Sequence, residues 1–295
     1  MVDLTINTNV ARQILTNFVK SEVTRVGYRR AVIGLSGGVD SALSFALAVE
    51  ALGAENVLAV RMPYKSSSAD SLEHAQMLID QFKVQSETID VTTMVEPLIE
   101  RDPQISKQRK GNIMARSRMI VLYDQSEVFK GLVIGTSNKT EILLGYSTLW
   151  GDMASAINPI GDLYKTQVRQ LSGALGIPSV IVDKAPSADL WAGQTDEGEL
   201  GFTYEEVDRL LYLLVDQRYS IQECVGEGFD EKFVSSVVIR IRRNQFKRMM
   251  PPIAKLSNRT IGYDFLYLRI GVRSLYNLRK AKSSLPAAFC FFYLN

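Results

Sequence analysis

Two cysteines, Cys224 and Cys290, and a single histidine, His74, are all that this sequence of 295 residues holds of either type. With no CxxC pair, a disulfide framework and a cysteine-ligated zinc site are both set aside. One histidine excludes a multi-histidine metal centre within one chain. No apolar run approaches the ~20 residues that a membrane-spanning helix needs. No basic segment followed by an apolar run opens the chain, so no secretory signal is read. Charge of one sign is also lacking: 34 Lys and Arg stand against 32 Asp and Glu, a formal net charge of +2. So small an excess does not point to a nucleic-acid binder. The expectation is a cytoplasmic protein that engages neither membrane nor nucleic acid.

What is present is an ordinary globular composition, 46% hydrophobic and 22% charged, enough for a sizeable core. Residues 9–26 carry Val10, Ile14, Phe18 and Val23 near helical spacing. Arg30–Leu35 is a short apolar run that ends in Ser36-Gly37-Gly38, a buried strand entering a tight turn. An Ala/Leu-rich helix follows at 41–52, stopped by Gly53. The alternation continues with strand 56–61, helix 69–82, strand 86–91, helix 111–130 and strand 131–135. Strands alternating with helices predict an α/β fold, a doubly wound parallel sheet with helices on both faces. Beyond Gly145 come Gly-, Pro- and Asp-rich loops, with helices expected at 165–175, 204–216 and 231–244. No internal repeat is visible, and one domain is the simpler reading.

The strongest chemical signal is Ser36-Gly37-Gly38-Val39-Asp40-Ser41 between a strand and a helix. Adjacent glycines let backbone approach a phosphate and adopt positive φ. The helix that follows turns unpaired N–H groups and its positive dipole end toward an anion. Ser36 and Ser41 add hydroxyls, and Asp40 offers a carboxylate for magnesium. No GK[ST] follows, so this is not a Walker loop. It resembles the pyrophosphate-binding loop of the ATP pyrophosphatase superfamily, which cleaves ATP between its α- and β-phosphates.

Further segments resemble one branch of that superfamily, the NAD synthetases. They are Gly111-Asn-Ile-Met-Ala-Arg-Ser-Arg-Met119, Gly135-Thr-Ser-Asn-Lys-Thr-Glu141, Gly151-Asp152 with Asn158–Lys165, Lys184–Asp189 with Gly193–Gly201, and Asn244–Pro252. The likeness runs over roughly residues 9–265, in one order. It implies that Gly34, Leu35, Ser36, Gly37, Gly38, Val39, Asp40, Ser41, Arg61, Thr136, Lys165 and Ser187 bind ATP. Asp40 and Glu141 would hold Mg2+, and Asp40, Lys165 and Ser187 would take part in catalysis. Arg116, Phe246 and Lys247 would contact the dinucleotide, while Arg118 serves packing or a partner subunit. Taken alone, Lys165 is a solvated helix lysine and Glu141 an acid at a helix start. The loop 183–201, with Asp189, Asp196, Glu197 and Glu199 among its glycines, reads as a lid with Trp191 near its middle.

The implied activity is ATP-dependent amidation of deamido-NAD through an acyl-adenylate, giving NAD, AMP and pyrophosphate. Leu149, Ala156 and Phe246 depart from the ammonia-dependent bacterial pattern and look more like the glutamine-dependent branch. The nucleotide loop begins at residue 36, however, which leaves no space for an amidase domain ahead of it. Ammonia is therefore expected free, with a separate amidase partner as the alternative source. The resemblance also implies a homodimer, with helix 111–130 as the contact. A domain at 1–268 is expected, and residues 269–295, first basic and then apolar, form an extension. Two rival readings remain open at this point: a tRNA-modifying relative in the superfamily, and a non-catalytic adenine-nucleotide binder.

Overall fold

The apolar run after the first helix does form a strand, and three further strands join it side by side. In the computed structural model, which describes residues 2–187, 191 and 194–262, these are β1 (Arg30–Gly34), β2 (Val57–Arg61), β3 (Gln85–Thr88) and β4 (Gly131–Ile134). All pairings are parallel and the order is β3-β2-β1-β4. The helices among them are α1 (Thr8–Arg25), α2 (Val39–Leu52), α3 (Ala69–Phe82), α4 (Thr92–Ile99) and α5 (Lys107–Phe129). Then follow α6 (Lys139–Leu144), α7 (Lys165–Ala174), α8 (Ser179–Val182), α9 (Asp196–Leu200), α10 (Tyr204–Leu211), α11 (Ile221–Gly226) and α12 (Glu231–Arg243).

Alternate strand residues supply two cores. Ala31, Ile33, Val57 and Ala59 pack with α1, α2 and α7 on one face. Val32, Leu58 and Val60 pack with α4 and α5 on the other. This two-sided burial is why the strands read as continuous apolar runs. It bears out the doubly wound sheet. Phe45, Leu43 and Leu47 of α2 are fully buried, and truncating one to alanine should cost about 2–5 kcal/mol. A third core, around Tyr164, Tyr204, Leu210, Cys224 and Val237, joins α6 to α10–α12 beside the sheet.

The chain passes from β1 to β2 to β3 in one direction, then returns to the other side of β1 with β4. That reversal opens a crevice at the carboxyl ends of β1 and β4, where α/β sheets bind ligands. The helices expected from periodicity are present, with two adjustments. The helix at 111–130 starts at Lys107, because the Ser106 hydroxyl accepts from Arg109 N at 3.3 Å and caps it earlier. The helix at 204–216 is α10 followed by a wider turn, closed by Gln217 N donating to Tyr212 O. The expected strand at 86–91 ends at Thr88. Asp189, Gly193 and the extension 269–295 lie outside the described residues.

Candidate active site

The loop after β1 is shaped by one glycine rather than two. Gly37 has φ +78, and a Cβ there would stand 2.2 Å from Ser71 O of α3. It therefore meets both the positive-φ requirement and a close approach. Gly38, expected to share that role, has φ -91 and caps α2 in extended conformation. Its missing side chain instead leaves room in the cleft, whose wall it joins. Ser41 Oγ donates to Gly38 O at 2.9 Å, and Ser36 Oγ lies 3.0 Å from it. Among the described residues no side chain caps the first N–H groups of α2. The helix start is thus presented to the cleft with its donors aimed at an incoming anion.

Three residues far apart in sequence meet beneath this loop. Lys165, first in α7 and 2% exposed, donates through Nζ to Asp40 and, at 3.3 Å, to Glu141. Asn138 joins the two acids. Its Nδ2 donates to Asp40 Oδ1 at 2.8 Å, its Oδ1 accepts from Glu141 N at 2.9 Å, and its own N–H donates to Glu141 Oε2. Burial works against the charge on Lys165, but Asp40 and Glu141 outweigh it and hold the ammonium above its usual range. Burial, then the neighbouring Asp40, pushes the Glu141 carboxyl upward.

The described part of the loop at 183–201 closes one side of this cluster. Asp196, 4% exposed, accepts from Tyr204 Oη at 3.1 Å and Tyr146 Oη at 3.2 Å. Its own N–H donates to Pro186 O. Glu199 accepts from Tyr146 Oη at 2.8 Å, and Glu197 from Tyr204 N at 2.9 Å. Among the described acids of this loop, Asp196 is thus buried and bonded inward, while Glu199 is bonded yet exposed. Trp191 lines the cleft with Lys107 Nζ 5.7 Å from its ring centroid. Asp40 and Glu141 thus contact one ammonium, with the charge of Asp196 also acting on it. Among the described residues no group of three or more His, Cys, Asp or Glu side chains converges as a ready-made metal site. Two carboxylates that reach one cationic atom do fit a divalent cation completed by phosphate oxygens and water.

Gly34, Leu35, Ser36, Gly38, Val39, Asp40, Ser41, Thr136, Glu141, Lys165, Ser187 and Lys247 all line one cleft of about 910 Å³. Gly37, Arg61, Arg116 and Phe246 do not. Arg61 donates from Nη1 to Gln76 Oε1 at 2.5 Å. Arg116 is exposed and turns to Leu149 O, at 3.2 Å from both Nε and Nη2. Phe246 is 59% exposed. Arg118, two residues along α5 and hence on another face, is the arginine of that pair that lines the cleft, with Nε donating to Met62 O at 3.0 Å. Lys247 reaches the cleft but gives its donors to Gly145 O and Ser147 O, each at 2.7 Å. Asn138 was not singled out in the sequence, although an asparagine three residues before a glutamate after a strand is a capping-box signature.

A nucleotide cradle at the switch point of a doubly wound parallel sheet, with acids and a lysine beneath it, is the layout of an α/β nucleotide-binding enzyme. More narrowly, the chain belongs to the NAD synthase family, whose model matches residues 11–251. It is 55% identical over 269 residues to the NH(3)-dependent NAD(+) synthetase of Trichlorobacter lovleyi, covering 91% of this chain and 98% of that protein. Among solved structures, the NMN synthetase of Francisella tularensis matches with TM-score 0.76 and 32% identity, over 85% of this chain and 100% of that one. The NH3-dependent NAD synthetase of Campylobacter jejuni matches with TM-score 0.73, 32% identity and the same coverage. The likeness to a glutamine-dependent branch at Leu149, Ala156 and Phe246 is outweighed by these matches to ammonia-dependent relatives.

Proposed function

We propose that this chain amidates the nicotinate carboxylate of deamido-NAD with ammonia, converting ATP to AMP and pyrophosphate. One observation carries the assignment of the site: Asp40 and Glu141 converge on Lys165 Nζ beneath the Gly37 turn and the open start of α2. A carboxylate is a poor acceptor for an amine, because its leaving group would be an oxide. Activation comes from transfer of AMP. A carboxylate oxygen attacks the α-phosphorus, the bond to the β-phosphate bridging oxygen breaks, and pyrophosphate departs. The nitrogen lone pair of ammonia then attacks the acyl carbon. AMP leaves with the C–O electron pair, and the nitrogen sheds a proton to give the amide.

Each step assigns work to residues of this chain. The N–H groups at the start of α2 and the hydroxyls of Ser36 and Ser41 orient the pyrophosphate. Lys165 stabilises charge as the α-phosphorus becomes pentacoordinate. Thr136 and Ser187, in the cleft wall, donate hydroxyls to phosphate, and the 183–201 loop keeps water from the acyl-adenylate. Asp40 and Glu141 would hold Mg2+, which supplies positive charge to the phosphate oxygens when bound.

Arg116, Ile120 and Tyr123 share one face of α5, and the two apolar members are 54% and 43% exposed. Trp150, next to the Leu149 carbonyl that Arg116 reaches, adds exposed apolar surface at 47%. This face supports a homodimer in which Arg116 serves the partner's site, since it turns away from its own. The test is incubation with ATP, ammonia and deamido-NAD, with NAD and AMP read in equal amounts. Nicotinate mononucleotide in place of deamido-NAD decides whether the chain instead behaves as its NMN synthetase neighbour is named. AMP formation that requires tRNA, or binding without turnover, overturns the reading.

A further inference from the structure

Helix α10 grips the phosphate-facing lysine at both ends, through two residues that never reach the cleft. Tyr204 and Asp208 stand four apart and so share one face of α10. They are 1% and 0% exposed, and neither lines the cleft. The Tyr204 ring lies under Lys165 Nζ, 5.1 Å from centroid to nitrogen. Its hydroxyl goes on to Asp196 of the 183–201 loop. Asp208 works at the other end of the same side chain. Its Oδ2 accepts from Thr166 N at 2.8 Å and its Oδ1 from Thr140 Oγ1 at 2.5 Å. That hydroxyl oxygen in turn accepts from Lys165 N at 3.1 Å. The first two N–H groups of α7 are therefore capped not by the residue before the helix but by a carboxylate and hydroxyl brought from elsewhere in the fold.

A buried carboxylate is a costly helix cap, because desolvation opposes its charge. What it provides is a fixed anchor of opposite sign to the helix dipole, reaching both α7 and the first turn of α6. Thr140 neighbours Glu141, so one acid sets the backbone of two members of the cluster. We infer that Asp208 is a positioning residue for Lys165, and that Tyr204 completes the grip by seating its ammonium. This rests on the reading that Lys165 faces the phosphates. A shift of an ångström in a group so placed costs up to about a hundredfold in rate.

The experiment is a double-mutant cycle on single-turnover pyrophosphate release, with Asp208→Asn, Lys165→Ala and both together. Asp208→Asn should lower the rate about tenfold while the KM for ATP stays within about twofold. In the Lys165→Ala background it should lower the rate no further, because its effect passes through the missing side chain. A wild-type rate for Asp208→Asn, or a loss that multiplies with that of Lys165→Ala, overturns the inference. If Asp208→Asn does not fold, Tyr204→Leu runs the same cycle from the ammonium end, with the same outcomes. A wild-type rate for Lys165→Ala would sink the parent reading instead, so the two failures are told apart.

Discussion

The two ends of the cleft hold their basic residues in opposite ways. At the end proposed for the phosphates, Lys165 is buried and bonded to carboxylates. At the far end, Lys247 donates to backbone carbonyls, as do Arg116 and Arg248 just outside the cleft lining. Arg248 alone takes Ile142 O, Leu143 O and Ile241 O at 2.9 to 3.1 Å. A carboxylate-held ammonium sits in a field that incoming phosphate and cation can re-partition. A carbonyl-held guanidinium stiffens the chain, here by satisfying the open carbonyls at the end of α6. Basic residues in a cleft therefore do not all signify ligand contact; what they are bonded to separates the two uses.

The largest expected effect lies at the buried end. Lys165→Ala should lower substrate-dependent pyrophosphate release by about 10²–10³-fold, the range for loss of one preorganised donor to developing negative charge. Asp40→Ala should abolish it, and retained turnover would remove the metal-binding role. Next comes the proposed dimer. If Arg116 serves the opposite site, mixing Arg116→Ala with Lys165→Ala subunits yields hybrids with one intact site. Recovery should reach about a quarter of wild-type activity from two poorly active parents. No recovery, in a mixture shown to exchange subunits, would mean that Arg116 acts within its own chain or not at all.

Much of the buried end was legible because its parts are local. A strand, a Gly-Gly turn and a helix start are consecutive, and their chemistry follows from adjacency. Asp40, Glu141 and Lys165 needed the family pattern, since they are 125 positions apart at the widest contact. Asn138, Tyr204 and Asp208 escaped because periodicity tells which face of a helix is buried, not which side chain meets it. The same limit applies to Arg116 and Arg118. Two arginines two residues apart must face different ways, but only the packing of α5 against β1 and β4 decides which one enters the cleft. Helix α4 also went unseen, with Pro97 inside its short span.

The smaller effects separate the two ends by pH. Arg248→Ala should destabilise the fold by about 2 kcal/mol, as charge-assisted bonds to carbonyls do. The loss should be the same from pH 7 to pH 4.5, since a guanidinium stays charged throughout. Asp208 behaves differently. Burial pushes its carboxyl up to about 6, against the pull of its bonds to Thr140 and Thr166 and of the nearby Lys165 charge. An unfolded aspartate titrates near 3.9. Between those values the native chain binds a proton that the unfolded chain lacks, so this group adds stability as pH falls through 6 and opposes the fold above it. Asparagine has no such titration. The stability of wild type minus that of Asp208→Asn, from urea midpoints, should therefore grow in favour of wild type between pH 7 and pH 4.5. A difference as flat as that of Arg248→Ala would mean that the carboxyl under α7 is as well solvated as in the unfolded chain, and the contrast between a charged end and a neutral one would fail.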